Sequence, residues 1–334
     1  MPTIPAEFRA FVAEKAGDDV ERGVRGVAAT DLPPGEVEIR IGWSSVNYKD
    51  ALATIASGKV ARISPLIPGI DLAGTVVASE DGAIAVGSEV LAHGYELGVA
   101  RHGGFAEYAR VPAAWVVPLP PGLTTREAMA IGTAGFTAAL SVARLEAHGL
   151  GPADGPILVT GASGGVGRTA TAILVERGYE VWAASAKAEV HDELRTLGAA
   201  GILSREEVTS DSTRPLESER WAGAVDCVGA ATLPYILRTL RWGGAVAASG
   251  NTSGAAFETT VFPFILRGVS LLGIDSAQVP IAERRRLWGR IAGDLRPRGL
   301  GQALAEVDLD GLEAALDAIL AGRAHGRWLV RLGG

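Results

Sequence analysis

The stretch that most constrains this chain is VTGASGGVGR, Val159 to Arg168. An apolar strand candidate, PILVT, runs into it, and an amphipathic helix candidate, GRTATAILVERG, runs out. Gly161, Gly164 and Gly167 recur every third position, with Gly165 added, which departs from the strict G-x-G-x-x-G spacing. A turn of this kind lets the backbone approach a pyrophosphate, whose charge then faces the free N–H groups of the first helical turn. The same glycines also suit a plain turn that packs helix on strand with nothing bound. The downstream pattern favours the dinucleotide. The strand YEVWAAS and the helix EVHDELRTLGA come next, then the strands AGAVDCVG and GGAVAASGN around the helix LPYILRTLRW. Strands alternating with helices at this spacing specify a doubly wound parallel sheet.

The tip of the second strand bears on which dinucleotide is held. A site for NAD usually places Asp or Glu there, on the ribose 2′-OH. Here the strand ends in Ser185-Ala186-Lys187 with no acid, and Arg205 follows the third strand candidate, GIL. A hydroxyl and two cations suit a 2′-phosphate, so NADPH is predicted; ordinary solvated charge is the other reading of Lys187 and Arg205.

At 334 residues the chain exceeds the roughly 250–300 at which one hydrophobic core stops growing, so two domains are expected. Up to Leu123 the pattern is short strands and turns: EVEIRIGWSSV, AGTVVAS, SEVLAHG, GGFAEYARVP and WVVPLPPGL, closed by Pro118, Pro120 and Pro121. Helical spacing then sets in with TTREAMAIGTAGFTAALSVARLEAHG. After the parallel-sheet unit come one helix, DGLEAALDAILAG, and one strand, GRWLVRL. A lone terminal strand must pair, and the first domain is the economical place. Residues 1–123 and 293–334 are therefore expected to form one domain and 124–292 an inserted second one.

A net charge of −7 argues against a polyanion such as nucleic acid as main partner, and Arg284-Arg285-Arg286 reads as a solvated helix face. Cys227 is the single cysteine, which excludes an intrachain disulfide and fits a reducing compartment. The start, MPTIPAEFRAFVAEK, holds no signal-like apolar run, and no stretch approaches the ~20 apolar residues of a membrane span. A cytoplasmic protein without a membrane partner is expected.

Over essentially its full length the chain resembles the medium-chain dehydrogenase/reductase superfamily. In zinc-dependent members a Cys on an early helix and a Gly-His-Glu turn supply ligands; the matching stretches here are SVNYKD and PGIDLAG, with Asn47 at the Cys position and Ile70 at the His position. Only the acid Asp71 remains, and an Ile cannot ligate Zn²⁺, so no metal is expected. SSVNYKDAL, PGIDLAGTV, AMAIGTAGFTAAL, VDCVGA and GNTSG are similar to the zinc-free quinone-reductase-like branch. NYKD, PGIDLAGTV and ILRGVSLLGIDS are closest to its NADPH-dependent acryloyl-CoA reductases.

The resemblance implies a GroES-like, β-rich catalytic domain with an inserted Rossmann domain, and homodimers paired through a Rossmann edge strand. It implies hydride transfer from NADPH to the activated double bond of a short 2-enoyl-CoA. Tyr48 is the candidate general acid, Lys49 a second donor, and Asn47 and Asp50 orient them or contact the cofactor; alternatively, Tyr48 is a core aromatic. Cofactor contacts are implied at Thr133, then at Ser163, Gly164, Gly165 and Val166 in the glycine turn. Ser185, Lys187 and Arg205 follow at the 2′-phosphate, and Cys227, Val228, Gly250 and Asn251 along the cleft. Phe264, Ile265, Ile274 and Ser276 are expected at the nicotinamide amide, and Arg62, Arg323 and Arg327 as cations for a CoA diphosphate at the cleft mouth. Relatives carry Ser-Gly-Arg where this chain has Ser185-Ala186-Lys187; Lys cannot clamp phosphate bidentately, so a weaker NADPH preference is expected. An NADPH:quinone or enone reductase would share nearly all these residues, and a non-catalytic NADPH-binding protein is the alternative from another class.

Overall fold

The computed structural model describes residues 4–209, 212–302 and 304–333. Its contacts divide into two compact units: Met1–Thr133 with Ala277–Ala292 and Gly301–Gly334, and Ala134–Ser276 with Gly293–Leu300.

The first unit opens with an antiparallel hairpin of β1 (Glu7–Ala16) and β2 (Asp19–Ala28). β3 (Val37–Val46) follows and runs straight into α1 (Tyr48–Ala53). Next come β4 (Asp71–Ser79), β5 (Glu89–His93), β6 (Tyr108–Val111) and β7 (Val117–Pro118). The period-two alternation predicted for the start of β3 buries Val37, Ile39 and Ile41, which pack on Leu72, Val76 and Val90. β4 pairs antiparallel with β3 and β5, so the start of β4 lies beside the end of β3, where α1 begins.

α2 (Thr125–Ala147) is broken at Gly132, whose φ of 53° and ψ of −162° no helix contains. By length and composition α2 could cross a membrane, but 83% of its apolar window is buried in protein, as in a core helix.

The second unit alternates as the sequence requires: β8 (Ile157–Thr160), α3 (Gly165–Glu176), β9 (Val181–Ala184), α4 (His191–Leu197), β10 (Gly201–Leu203), β11 (Trp221–Asp226), α5 (Leu233–Thr239), β12 (Leu240–Ala248), α6 (Phe262–Arg267) and β13 (Ser270–Gly273). Among the described residues the sheet is parallel throughout, in the order β10-β9-β8-β11-β12-β13. This is the doubly wound Rossmann order, with its switch point between β8 and β11.

The chain closes with α7 (Ile281–Ala292), β14 (Leu304–Val307), α8 (Leu312–Leu320) and β15 (Arg327–Arg331). β15 pairs antiparallel with β3, Trp328 opposite Val46. α7 differs from expectation twice. It lies in the first unit, where the sequence boundaries put it in the second. Arg284, read as a solvated face, is fully buried, because it shares the helical spacing of buried Leu287, Trp288 and Ile291. Its guanidinium donates to the carbonyls of His93 (2.9 Å) and Ala277 (3.0 Å) and stacks 4.4 Å from the Tyr95 ring centroid.

Candidate active site

In the second unit, the predicted dinucleotide residues gather at the carboxyl ends of the parallel strands. Gly161 to Val166 follow β8, Ser185 and Lys187 follow β9, and Arg205 follows β10. Cys227 and Val228 follow β11, Gly250 and Asn251 follow β12, and Ile274 and Ser276 follow β13. Three glycines of the first turn do different work. Gly161 takes a positive φ of 60°, which makes the turn, and at Gly167 an added Cβ would sit 2.4 Å from the Gly161 carbonyl oxygen. Gly164, which caps α3, has an ordinary φ of −83°, and its nearest neighbour to an added Cβ is 3.4 Å away. Neither backbone strain nor packing requires glycine there, and the bare backbone leaves the helix N-terminus open, which fits a pyrophosphate. At the tip of β9 Ser185 is buried, and its Oγ accepts from the Lys187 backbone N–H at 3.2 Å, leaving the hydroxyl proton to donate. No acid stands at that tip, so the donors present fit a phosphorylated ribose.

The floor of this unit is neutral in its hydrogen bonding. Asp226, fully buried at the end of β11, accepts from the Thr160 and Thr232 hydroxyls, each at 2.6 Å, and from the Gly229 N–H at 2.9 Å. Burial raises its pKa, and the two threonine hydroxyls offset part of that rise. Burial, with Asp226 beside it, pushes the Cys227 thiol up to about 12, so this cysteine is no thiolate nucleophile near neutral pH.

In the first unit, a buried polar cluster underlies α1. Asp50 is fully buried: one carboxylate oxygen accepts from the Gly69 and Ile70 N–H groups (3.2 and 2.8 Å), the other from the Asn47 backbone N–H and Nδ2 (2.8 and 3.2 Å). Burial, then the neighbouring Asp71 charge, raise the Asp50 pKa to about 7 against these four donors. Asp71 is fully buried too, and accepts from Ser45 Oγ (2.6 Å), Asn47 Nδ2 (2.7 Å), Thr133 N (3.0 Å) and Thr133 Oγ1 (2.5 Å). Arg327 Nη2 lies 3.7 Å from Asp71. Beyond Thr133, the buried ring of His93 continues the chain: Trp288 Nε1 donates to His93 Nε2 at 2.9 Å, Arg284 Nη1 lies 2.8 Å from Nδ1, and Thr133 Oγ1 lies 3.3 Å from Nδ1. Burial and the Arg284 guanidinium hold the His93 pKa well below its ordinary value. Above this cluster Tyr48 is 52% exposed on the first turn of α1, and Lys49 beside it is exposed. A core aromatic would be buried; Tyr48 is presented to solvent.

Residues 33–121 match the alcohol dehydrogenase GroES-like domain family, and residues 165–292 the zinc-binding dehydrogenase family. The acrylyl-CoA reductase AcuI of Ruegeria pomeroyi is 48% identical over 325 residues, covering 97% of this chain and 98% of that protein. YhfP of Bacillus subtilis, named as a quinone oxidoreductase, is 50% identical over 326 residues, covering 97% of this chain and 99% of its own. The crystal structure of the yhdH oxidoreductase from Salmonella enterica in complex with NADP has a TM-score of 0.94 at 47% identity, covering 97% of this chain and 100% of that one. That of Bacillus subtilis yhfP with NAD bound has a TM-score of 0.96 at 49% identity, covering 98% of this chain and 100% of that one. The chain is a medium-chain dehydrogenase/reductase of the quinone-oxidoreductase-like branch.

One expectation for this medium-chain reductase needs correction. Arg327, expected as a cation at the cleft mouth, is 7% exposed, and its N–H groups are taken by the carbonyls of Ala130 (3.2 Å) and Met129 (3.4 Å), Asn47 Oδ1 (3.0 Å) and Ser45 Oγ (2.7 Å). It is an internal staple; Arg62 and Arg323 are the two that stand exposed. Thr133 belongs to the first unit, where its hydroxyl donates to Asp71. Phe264 and Ile265 lie on α6: Phe264 packs on the unit's core, and Ile265 is 67% exposed among apolar neighbours. Sequence reasoning also missed residues. Ser45, Asp71, His93 and Gly132 carried no assigned role, although a lone glycine inside a helical pattern marks a break when something must approach closely.

Proposed function

We propose that this protein is an NADPH-dependent reductase of the activated C=C bond of a short 2-enoyl-CoA, most simply acryloyl-CoA to propanoyl-CoA, working without a metal. The observation that carries the reading is Tyr48, half exposed on a first helical turn that Asn47 and Asp50 pin to a buried polar cluster. The full-length likeness to AcuI supports the substrate class. The acid-free tip of β9, with Ser185 and Lys187, supports NADPH over NADH.

When bound, NADPH supplies the hydride that reduces the β-carbon of the enoyl thioester. Negative charge then builds on the thioester oxygen, and the exposed Lys49 ammonium is the cation of the strip that can stabilise it. The Tyr48 hydroxyl donates a proton to the α-carbon or orients the water that does, which completes addition of H⁻ and H⁺ across the double bond. Asn47 and Asp71 hydrogen-bond each other at 2.7 Å, and Arg327 takes the Asn47 carbonyl oxygen; this supports metal-free chemistry at the positions where zinc relatives carry ligands.

The name of YhfP favours a second reading, reduction of quinones or simple enones. Turnover of NADPH and NADH against acryloyl-CoA, crotonyl-CoA and a benzoquinone separates the two. The enoyl-CoA reading expects kcat/KM for acryloyl-CoA well above that for the quinone. Tyr48→Phe with undiminished acryloyl-CoA turnover would remove Tyr48 from the proton step, and Lys187→Ala should narrow the NADPH-to-NADH ratio. NADPH bound without turnover of any acceptor would favour a non-catalytic role. We also infer a cytoplasmic homodimer. The edge strand β13 exposes Leu271, and α6 beside it exposes Phe262, Ile265 and Leu266, so light scattering should give twice the monomer mass.

A further inference from the structure

Asp71 hydrogen-bonds both Asn47, which precedes the proton-donor candidate Tyr48, and Thr133, at the break in α2. Arg327 leaves it little freedom, because its own donors are shared among the end of β3, the Met129–Ala130 carbonyls and Asp71. Gly132 belongs to the same device. A Cβ added there would lie 2.4 Å from Arg327 Nη2, 2.6 Å from Asp71 Oδ2 and 2.7 Å from Ser45 Oγ, so only a residue without a side chain fits beside the ion pair. Residues 45–47, 71 and 129–133 thus converge on one carboxylate–guanidinium pair. A shift in any of them would leave a buried charge poorly paired; that is strongly unfavourable, and it holds the others in register.

We propose that Asp71, clamped by Arg327, is a positioning residue that fixes the Asn47–Tyr48 strip against Thr133 for the reduction. It rests on the reductase reading above, and Asp71 acts only through Asn47 and Thr133, since it is fully buried beneath them. The carboxamide in Asp71→Asn keeps the shape but puts an NH2 group at one of the two oxygens, so it cannot accept from Ser45 and Asn47 and from the Thr133 hydroxyl at once.

The test compares the full-length wild type, Asp71→Asn, Arg327→Lys and a control, Val12→Ala, in the hydrophobic core of β1. Turnover is read with NADPH against acryloyl-CoA and a benzoquinone; backbone amide exchange is read by mass spectrometry without cofactor. Asp71→Asn should lose about 10²-fold in kcat, as misplacement by an ångström does, with KM for NADPH changed by less than about threefold. Amide exchange should accelerate over 45–50 and 129–133 while Ile157–Thr160 keeps its protection. Arg327→Lys keeps the charge but not the planar fork, and should show the same pattern at about tenfold. Should Asp71→Asn fail to fold, Arg327→Lys carries both criteria. Val12→Ala should lower Tm with kcat unchanged. If Asp71→Asn behaves like that control, or its exchange rises uniformly, Asp71 is only structural and the proposal fails. If the wild type turns over neither acceptor, the reductase reading fails, and the exchange pattern still decides Asp71.

Discussion

Two buried carboxylates, Asp71 in the first unit and Asp226 in the second, are held in opposite ways. Asp71 answers to a cation, Arg327, and shares its surroundings with a second buried carboxyl group, Asp50. Asp226 is satisfied by two hydroxyls and one N–H, with no cation among those hydrogen-bond partners. The contrast follows what each unit must do. At the dinucleotide end the turn is shaped by neutral groups, and Lys187 and Arg205 are the cations proposed for a phosphate. Under the strip proposed as catalytic, the buried Asp71–Arg327 pair holds Asn47, the residue before Tyr48. A neutral hydrogen bond contributes about 1 kcal/mol net, whereas an internal charge that loses its partner costs several times more. Rigidity is therefore concentrated where proton delivery is proposed.

Arg327→Met should break this contrast most strongly. It leaves Asp71 buried without its cation, and the expected loss is about 3–5 kcal/mol of unfolding free energy. Asp226→Asn forfeits one hydrogen bond among neutral partners, and about 1–3 kcal/mol is expected. Urea unfolding of both variants at pH 7 checks the order. Equal losses would mean that the ion pair is no stronger a constraint than the threonine cage.

The next effect is read in pH. Asp50 has a folded-state pKa of about 7 against an ordinary 3.8, so the native protein holds a proton that the unfolded chain releases between these values. Its contribution to stability is complete below the lower value and declines as pH rises to about 7, by a few kcal/mol at most, on the order of 1.4 kcal/mol for each pH unit crossed. His93 works the other way, because its lowered pKa makes acidification below 6.5 destabilising. Comparing wild type with Asp50→Asn across pH 4–8 cancels the histidine contribution. The stability of the wild type relative to the variant should fall as pH rises through this window and level off above it. A pH-independent difference would mean that Asp50 titrates as an ordinary surface carboxylate.

The two units were unequally legible in the sequence. The doubly wound parallel class of the sheet and its strands up to β12 followed from apolar runs, glycines and helical spacing, because a βαβ unit is encoded locally; the strand order and β13 came only with the structure. The tips of the strands were legible for the same reason: Ser185 and Lys187 are found by counting to the end of a strand. The Asp71 cluster was not, since its members come from β3, β4, the break in α2 and β15, brought together only by antiparallel pairing across the chain. Arg327 looked like any surface arginine. A β-strand, though, turns alternate residues to one face, and Arg327 shares its face with the fully buried Leu329. Arg284 misled for the opposite reason, since a run of three arginines suggests solvent while the helical spacing of Leu287, Trp288 and Ile291 argues for its burial.

The finest distinction is between two glycines. Gly132→Ala places a methyl 2.4 Å from Arg327 Nη2 at a φ of 53°, so it should cost about 2 kcal/mol or more and slow turnover by disturbing Thr133. Gly164→Ala meets nothing closer than 3.4 Å at an ordinary φ, so its Tm should stay within about a degree of wild type. Its methyl would instead project where the pyrophosphate must approach the helix N-terminus, and NADPH affinity should weaken by about tenfold, near 1.4 kcal/mol. Fluorescence titration with NADPH and thermal melts of the two variants separate a glycine the fold requires from one the ligand requires. Unchanged NADPH affinity in Gly164→Ala would return the glycine turn to its plainer reading, a joint that packs α3 against β8 through Gly167 alone.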